Sequence, residues 1–241
     1  MPFISVIITA HNRREYLLDA VNSALNQTLP RNEYEIIVVK NFEDENVDRF
    51  LEEHSVRNII VEEEPLSAKI VKGVEESRGE VISFLEDDDL WLPQKLEIVK
   101  QIFKDKDVIY YHNNFHNFNK LVGLSSLIDR IQSSNDRSKI SKLKIYDMKN
   151  DLFLQINNSS ITVRKTIFNK NILDRIKNVS SAVDALLFYL AYCHGGDFVF
   201  DDKILTLRRV HNINASVDRI SDYEDWLSNL SKISKKPRMT T

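Results

Sequence analysis

Short apolar runs alternate with segments of helical periodicity along the first hundred residues. The runs show no alternation of polar and apolar positions, which is typical of strands buried on both faces of a parallel sheet. Between them, apolar residues recur at helical spacing. The pattern predicts strands at residues 4–9, 34–39, 57–61 and 81–85, and helices at residues 16–25, 45–53 and 67–77. Such alternation favours an α/β fold with ligands beyond the carboxyl ends of the strands.

The second half of the chain has a less regular pattern. Residues 107–112 are predicted to form a strand, and the polar residues 113–150 to form a variable lobe. A helix is expected around Leu186 to Leu190, two short strands over 197–209, and a last helix at 223–230. We interpret residues 1–112 and 113–218 as two halves of one domain, with 219–241 as a C-terminal helix and basic tail.

Composition excludes several classes of protein. The net charge of −3 and the pI near 6.1 argue against nucleic acid as a partner. One cysteine, Cys193, allows neither an intramolecular disulfide framework nor a cysteine-based zinc site, and favours a cytoplasmic location. No run is apolar enough to span a bilayer, so at most peripheral contact with the cytoplasmic membrane face is expected, through the basic tail.

Four consecutive carboxylates follow the fourth predicted strand: Glu86, Asp87, Asp88 and Asp89. Like charges at a strand end repel one another, and a divalent cation would relieve that repulsion. A solvated acidic turn, with Asp89 capping the next helix, explains the run equally well by itself. None of the five glycines precedes Gly73, so the first strand is not followed by a Gly-rich dinucleotide or phosphate loop.

Three segments together resemble the family-2 glycosyltransferases, enzymes of the GT-A fold that use nucleotide sugars. They are SVIITAHNRREYLLDAVNSALNQT, YEIIVV and SRGEVISFLEDDDLWLP. The resemblance covers about the first hundred residues in continuous register. It implies a single Rossmann-like, mostly parallel central sheet flanked by helices, with a smaller variable lobe on the acceptor side. Residues 1–112 would then bind the nucleotide sugar, and residues 113–218 would bind the acceptor and supply the catalytic base.

The resemblance also assigns site residues. Asp184 is implied to be the catalytic base. The metal ligands, for Mg²⁺ or Mn²⁺, are implied to be Asp88, Glu86 and His211. Nucleotide-binding positions are implied at Thr9, Ala10, His11, Asn12, Arg13, Asn41, Lys69 and Asp87. The diphosphate or acceptor side is implied to contain Asp89, Trp91, Arg208 and Arg209. The implied partners are a UDP- or GDP-linked sugar and a glycan, lipid or small-molecule acceptor.

The sequence departs from the family pattern at three positions. Lys40 and Asn41 replace two aspartates after the second strand, and Val183 replaces a glutamate before Asp184. These departures support an alternative, a nucleotide-sugar-binding protein that has lost its catalytic activity. Asp184 could also merely stabilise a helix N-terminus, and Lys69 could be an ordinary solvated lysine. A nucleotidyltransferase ranks last because the Gly-rich loop after the first strand is missing.

Overall fold

The computed structural model describes residues 1–62, 65–136, 138–144, 157–179 and 182–211. Within these ranges the chain forms a nine-stranded sheet and seven α-helices. The strands are β1 (Ile4–Ala10), β2 (Tyr34–Lys40), β3 (Arg57–Ile60), β4 (Val81–Glu86), β5 (Leu90–Trp91), β6 (Val108–Phe118), β7 (Ile140–Lys144), β8 (Ile161–Arg164) and β9 (Asp197–Arg209). The helices are α1 (Leu17–Leu25), α2 (Glu45–Glu53), α3 (Leu66–Glu76), α4 (Lys95–Ile102), α5 (Leu124–Asn135), α6 (Lys170–Ile176) and α7 (Val183–His194).

The strands follow the order β3-β2-β1-β4-β8-β6-β9-β5, and β7 pairs with β9. The first four are parallel, so the chain leaves β1, β2 and β4 at the same edge. Beyond β4 the sheet is mixed: β8 is antiparallel to both β4 and β6, and β5 and β7 are antiparallel to β9. The predicted α/β fold is confirmed, while the parallel arrangement is limited mainly to the first four strands.

Two apolar layers cover the faces of the sheet. Ile4, Val6 and Ile8 of β1 pack in one layer with α1, α2 and α4. Ile7 of the same strand packs in the other layer with α3, α6 and α7. Burial on both faces is the reason why β1 is a continuous apolar run rather than an alternating one.

Gly79 allows the start of β4 to lie close to β1. A Cβ atom at this position would lie 2.6 Å from the backbone nitrogen of Ser5 and 2.8 Å from the carbonyl carbon of Ile4. Backbone atoms cannot move away without breaking the pairing of the two strands. The glycine therefore fixes the separation of the strands that precede the two loops of the candidate site.

Three expectations for the second half need correction. Strand β6 continues to Phe118 instead of ending at residue 112, and the two short strands expected over 197–209 form one strand, β9, paired with β6 through β-bulges. The lobe expected to be weakly periodic contains helix α5 and strand β7. The helix predicted at 223–230 and the basic tail lie outside the described residues. The domain boundaries at 112 and 218 stay predictions.

Among the described helices, none combines the length and the hydropathy that a transmembrane span requires.

Candidate active site

The acidic run lies at the carboxyl end of β4. The strand ends at Glu86, and the next three aspartates form a tight turn into β5, with the Asp89 N–H donating to the Glu86 carbonyl at 3.3 Å. Asp87, Asp88 and Asp89 are only 1%, 4% and 1% exposed. Helix α4 begins later, at Lys95, with Gln94 at its N-cap. The run is therefore neither a solvated turn nor a helix cap.

Three of these side chains converge. One carboxylate oxygen each from Glu86, Asp88 and Asp89 lies within 4.8 Å of the others. Burial, together with the neighbouring carboxylates, raises the pKa of Glu86 to about 8 and the pKa of Asp89 to about 7. The Asp89 Oδ2 atom is buried and has no hydrogen-bond partner among the described residues. A set of clustered, repelling oxygen ligands with one unsatisfied atom fits a hard divalent cation.

Arg13 and His211 lie against the same cluster. The Arg13 guanidinium contacts Asp87 at 2.5 Å and Asp88 Oδ2 at 2.9 Å. His211 Nε2 lies 2.8 Å from the same Asp88 oxygen and 3.2 Å from Arg13 Nη1. The loop after β1 and the end of the described chain after β9 thus meet at one carboxylate.

The loops after β1 and β2 form a polar surface beside the cluster. Asn12 and Asn41 bind each other reciprocally: the Asn12 N–H donates to Asn41 Oδ1 at 2.9 Å, and Asn41 Nδ2 donates to Asn12 Oδ1 at 3.0 Å. Asn12 has a φ of 55°, a left-handed conformation that asparagine tolerates better than most residues. His11 Nδ1 lies 3.2 Å from the Nζ of the buried Lys69. Lys69 is therefore not a solvated lysine.

Thr9 and Ala10 complete this surface from the end of β1. Both residues are buried, and Thr9 lies opposite Glu86 in the pairing of β1 with β4. The structure thereby brings the predicted nucleotide loop and the predicted metal ligands to adjacent strand ends.

Lys40, one of the departures from the family pattern, points away from this surface. Its Nζ atom is fully buried, lies 2.8 Å from Asp48 Oδ1 on α2, and donates to the Phe42 carbonyl. The lysine charge is neutralised inside the fold. It therefore need not alter the charge of the nucleotide surface.

Asp184 stands in the first turn of α7, as predicted. Its Oδ2 accepts the Asn157 N–H at 3.3 Å and its Oδ1 accepts the Ala185 N–H at 2.8 Å. Burial raises its pKa, although these N–H groups oppose the shift. Asn158, next to Asn157, donates to Glu86 Oε1 at 3.1 Å. This turn connects the region of Asp184 with the acidic cluster.

Val183, the third departure from the family pattern, is buried in the apolar layer formed with α7. Its side chain packs in the core.

Two residues assigned to the substrate side support the acidic turn from inside. Trp91 is 4% exposed, and its indole N–H donates to the Ser159 carbonyl at 2.8 Å. Arg209 is 5% exposed and donates to the Asp88 carbonyl at 3.0 Å and to Asp19 at 2.9 Å. Arg208 points to the other side of β9, where its positive charge opposes the rise that burial causes in the pKa of Asp89 and of Asp184. Of these three residues, Arg208 is partly exposed, whereas Trp91 and Arg209 are buried.

Two residues essential to this arrangement are not predicted from the sequence. The Ser159 hydroxyl accepts the Glu86 N–H at 3.0 Å, and its carbonyl accepts from Trp91 and Lys95. Lys95 is fully buried beneath the turn, burial lowers its pKa, and Asp89 opposes that shift. A lysine at the start of an amphipathic helix normally indicates a solvated position. Only the structure shows that Lys95 lies under the acidic turn, where it donates to the Ser159 carbonyl and faces the charge of Asp89.

Comparison with known proteins identifies the family. Residues 5–176 match the sequence family described as Glycosyl transferase family 2. An uncharacterised glycosyltransferase of Nostoc sp. is 31% identical over 145 residues, which are 58% of this chain and 43% of that protein. A second, from Rickettsia prowazekii, is 23% identical over 98% of this chain and 74% of its own length. The chain spans less than half of the Nostoc relative.

Solved structures agree with the fold. S. aureus TarS 1–349 in complex with UDP-GlcNAc has a TM-score of 0.70 and 18% identity, over 97% of this chain and 66% of that one. The mannosyltransferase PcManGT of Pyrobaculum calidifontis, in complex with GDP-Man and Mn²⁺, has a TM-score of 0.63 and 14% identity, over 98% and 65%. The family match covers most of the chain and the structural match nearly all of it, and the chain therefore belongs to glycosyl transferase family 2 and has the GT-A fold.

Proposed function

We propose that the chain transfers a sugar from a nucleoside diphosphate sugar to an acceptor hydroxyl, with inversion at the anomeric carbon and with a divalent cation. The observation that carries the proposal is the convergence of Glu86, Asp88 and Asp89 beside the loop after β1. The complexes of TarS with UDP-GlcNAc and of PcManGT with GDP-Man and Mn²⁺ support a UDP- or GDP-linked donor.

The three converging carboxylates would hold the cation, for which we propose Mg²⁺ or Mn²⁺ because such ions are bound through a few carboxylates together with substrate phosphates. When bound, such an ion supplies positive charge to the departing diphosphate. Arg208, whose charge acts on Asp89, would add to that positive charge, and His211 lies beside the cluster at Asp88. Asp87 holds Arg13 in the nucleotide loop and is better suited to positioning than to metal binding.

The polar surface beside the cluster would bind the nucleotide. The paired amides of Asn12 and Asn41 present both donors and acceptors, which can read the edge of a uracil or a guanine. The Lys69 ammonium, held by His11, would stabilise negative charge on the ribose or phosphate side. Lys40 has no part in this surface because Asp48 neutralises it in the interior.

Asp184 would act as the general base. Because its pKa is raised, Asp184 is a stronger base than an ordinary aspartate and takes the proton more readily. The acceptor hydroxyl would transfer its proton to Asp184 while its oxygen forms a bond to the anomeric carbon. The bond from that carbon to the diphosphate oxygen breaks in the same displacement, which inverts the configuration.

The acceptor is proposed to be a glycan, a lipid or a small molecule. The cytoplasmic location stays a prediction from the single cysteine. A nucleotide-sugar-binding protein without activity is the alternative, and the experiment below separates it from an enzyme.

The test is release of nucleoside diphosphate from UDP-GlcNAc, UDP-glucose and GDP-mannose with Mn²⁺, where water can replace the unknown acceptor. We expect one donor to be consumed by the wild type and the sugar product to have inverted configuration by NMR. Asp184→Asn should abolish release while binding of the free diphosphate persists, and Asp174→Asn, at an exposed site on α6, should behave as wild type. Full activity of Asp184→Asn would remove the base assignment, and binding without turnover would favour the alternative.

A further inference from the structure

Arg13 contacts one of the carboxylates that a metal ion would use. Asp88 contributes a carboxylate oxygen to the converging set, and its Oδ2 lies 2.9 Å from Arg13 Nη1 and 2.8 Å from His211 Nε2. A divalent ion binds carboxylate oxygen at about 2.0 to 2.6 Å and carries its own positive charge. An arginine cannot lose its charge to make room. The guanidinium and the ion therefore compete for Asp88.

In this contact the Arg13 side chain, rather than the carboxylates, is the group that can move. Its side chain is 28% exposed, whereas the side chains of Asp87 and Asp88 are 2% and 5% exposed. Arg13 also has two anchors, since Asp87 holds it at Nη2 and Nε independently of Asp88. Release of Asp88 would leave the guanidinium attached to Asp87, with the Nη1 group that faced Asp88 available to a new acceptor.

We propose that Arg13 is an internal counter-ion of the acidic cluster, that a divalent cation displaces it from Asp88, and that the displaced guanidinium then contacts the donor's diphosphate. The proposal rests on the proposed function for the identity of the anion. Planar guanidinium groups suit phosphate oxygens because they can donate two parallel hydrogen bonds. The exchange would couple the binding of metal and nucleotide. The cation would free Arg13 from Asp88 for the diphosphate, and the diphosphate would hold Arg13 away from the carboxylate that the cation uses.

The test is titration of the purified protein with Mn²⁺, following the free ion by electron paramagnetic resonance without any nucleotide. Arg13→Gln should bind Mn²⁺ about tenfold more tightly than the wild type, within the usual range of such couplings. Arg13→Lys, which keeps the charge, should stay near the wild type. Arg14→Gln is the matched control, since Arg14 pairs with Asp44 and does not touch the cluster. Thermal unfolding of each variant verifies that it is folded.

A second titration, with UDP or GDP present, tests the coupling. In the wild type the diphosphate should tighten Mn²⁺ binding strongly, and in Arg13→Gln this gain should shrink at least several-fold. Mn²⁺ binding in Arg13→Gln that is equal to or weaker than in the wild type would overturn the inference while leaving the proposed function intact. Absence of Mn²⁺ binding in every variant would overturn both.

Discussion

The acidic turn should destabilise the protein when no cation is bound, and Asp89→Asn should reveal this. The pKa of Asp89 is about 7, because the carboxylate is buried and faces Asp88. An ordinary aspartate titrates near 3.8, and each pKa unit corresponds to about 1.4 kcal/mol. Above pH 7 the ionised form therefore destabilises the fold by up to about 4 kcal/mol. Removing the charge should recover a good part of that free energy.

The substitution preserves the useful contact of Asp89. An asparagine retains the oxygen that accepts the Arg209 N–H at 2.9 Å. Its amide nitrogen would replace the unsatisfied Oδ2 and could donate to the neighbouring carboxylates. We expect a gain of about 2 kcal/mol in the free energy of unfolding at pH 8 with a chelator, which corresponds to about 4–8 °C in Tm for a chain of this size.

The pH dependence fixes the sign of the effect. A group whose pKa is raised in the folded state stabilises the fold most below its unfolded pKa, and this stability is lost as pH rises through the folded value. The wild type should therefore become less stable between pH 5 and pH 8, and Asp89→Asn should show a smaller decline. The gain from the substitution should be smaller at pH 5 than at pH 8.

Differential scanning fluorimetry at both pH values, with chelator and with Mn²⁺, is sufficient. Asp201→Asn is the matched control, since Asp201 is also buried but accepts from Tyr111 and from the Lys203 N–H. That change should leave Tm unchanged or lower it. Mn²⁺ should raise the Tm of the wild type more than that of Asp89→Asn. A lower Tm for Asp89→Asn at pH 8 with chelator would refute the reasoning.

Three further changes test the supports of the site. Gly79→Ala should lower Tm by several degrees because its Cβ meets the β1 backbone, and an unchanged Tm would contradict this reading. Lys40→Ala should destabilise the fold by about 1–3 kcal/mol in denaturant titrations, since the Phe42 carbonyl and Asp48 each lose a donor, yet leave UDP and GDP binding unchanged. Weakened nucleotide binding would show that Lys40 contributes to the nucleotide surface. Trp91→Phe should lower the free energy of unfolding by about 1 kcal/mol, because the Ser159 carbonyl loses one donor, and should weaken Mn²⁺ binding only slightly. Loss of all Mn²⁺ binding would show that the indole is needed for the metal site itself.

The sequence is sufficient to predict the loops of the site but not what supports them. Parallel strands place their carboxyl ends at one edge, so the ends of β1 and β4 necessarily bring Arg13 and Asp88 near each other. By contrast, β8 inserts between β4 and β6 from a distant part of the chain and brings Ser159 beneath Glu86. No local pattern encodes that long-range register.

The pair Arg208 and Arg209 illustrates the same limit. Neighbouring residues in a strand point to opposite faces, so only one of two adjacent arginines can point into the fold. Which one does so depends on the pairing of β9 with β6, and the β-bulges shift that register before it reaches the arginines. The sequence therefore suggests Arg209 as a substrate contact, whereas in the structure its buried side chain donates to the Asp88 carbonyl.

The central claim is that the acidic turn and the loop after β1 form one metal-dependent nucleotide site. The most direct measurement is a thermal-shift panel of UDP, GDP and TDP, each with Mn²⁺ and with a chelator, on the wild type and on Asp88→Ala. A ligand at a hundred times its Kd should stabilise the fold by about 2.7 kcal/mol. The account predicts a shift with one nucleotide that requires Mn²⁺ and disappears in Asp88→Ala. No shift with any nucleotide, or a shift that survives both the chelator and Asp88→Ala, would contradict it.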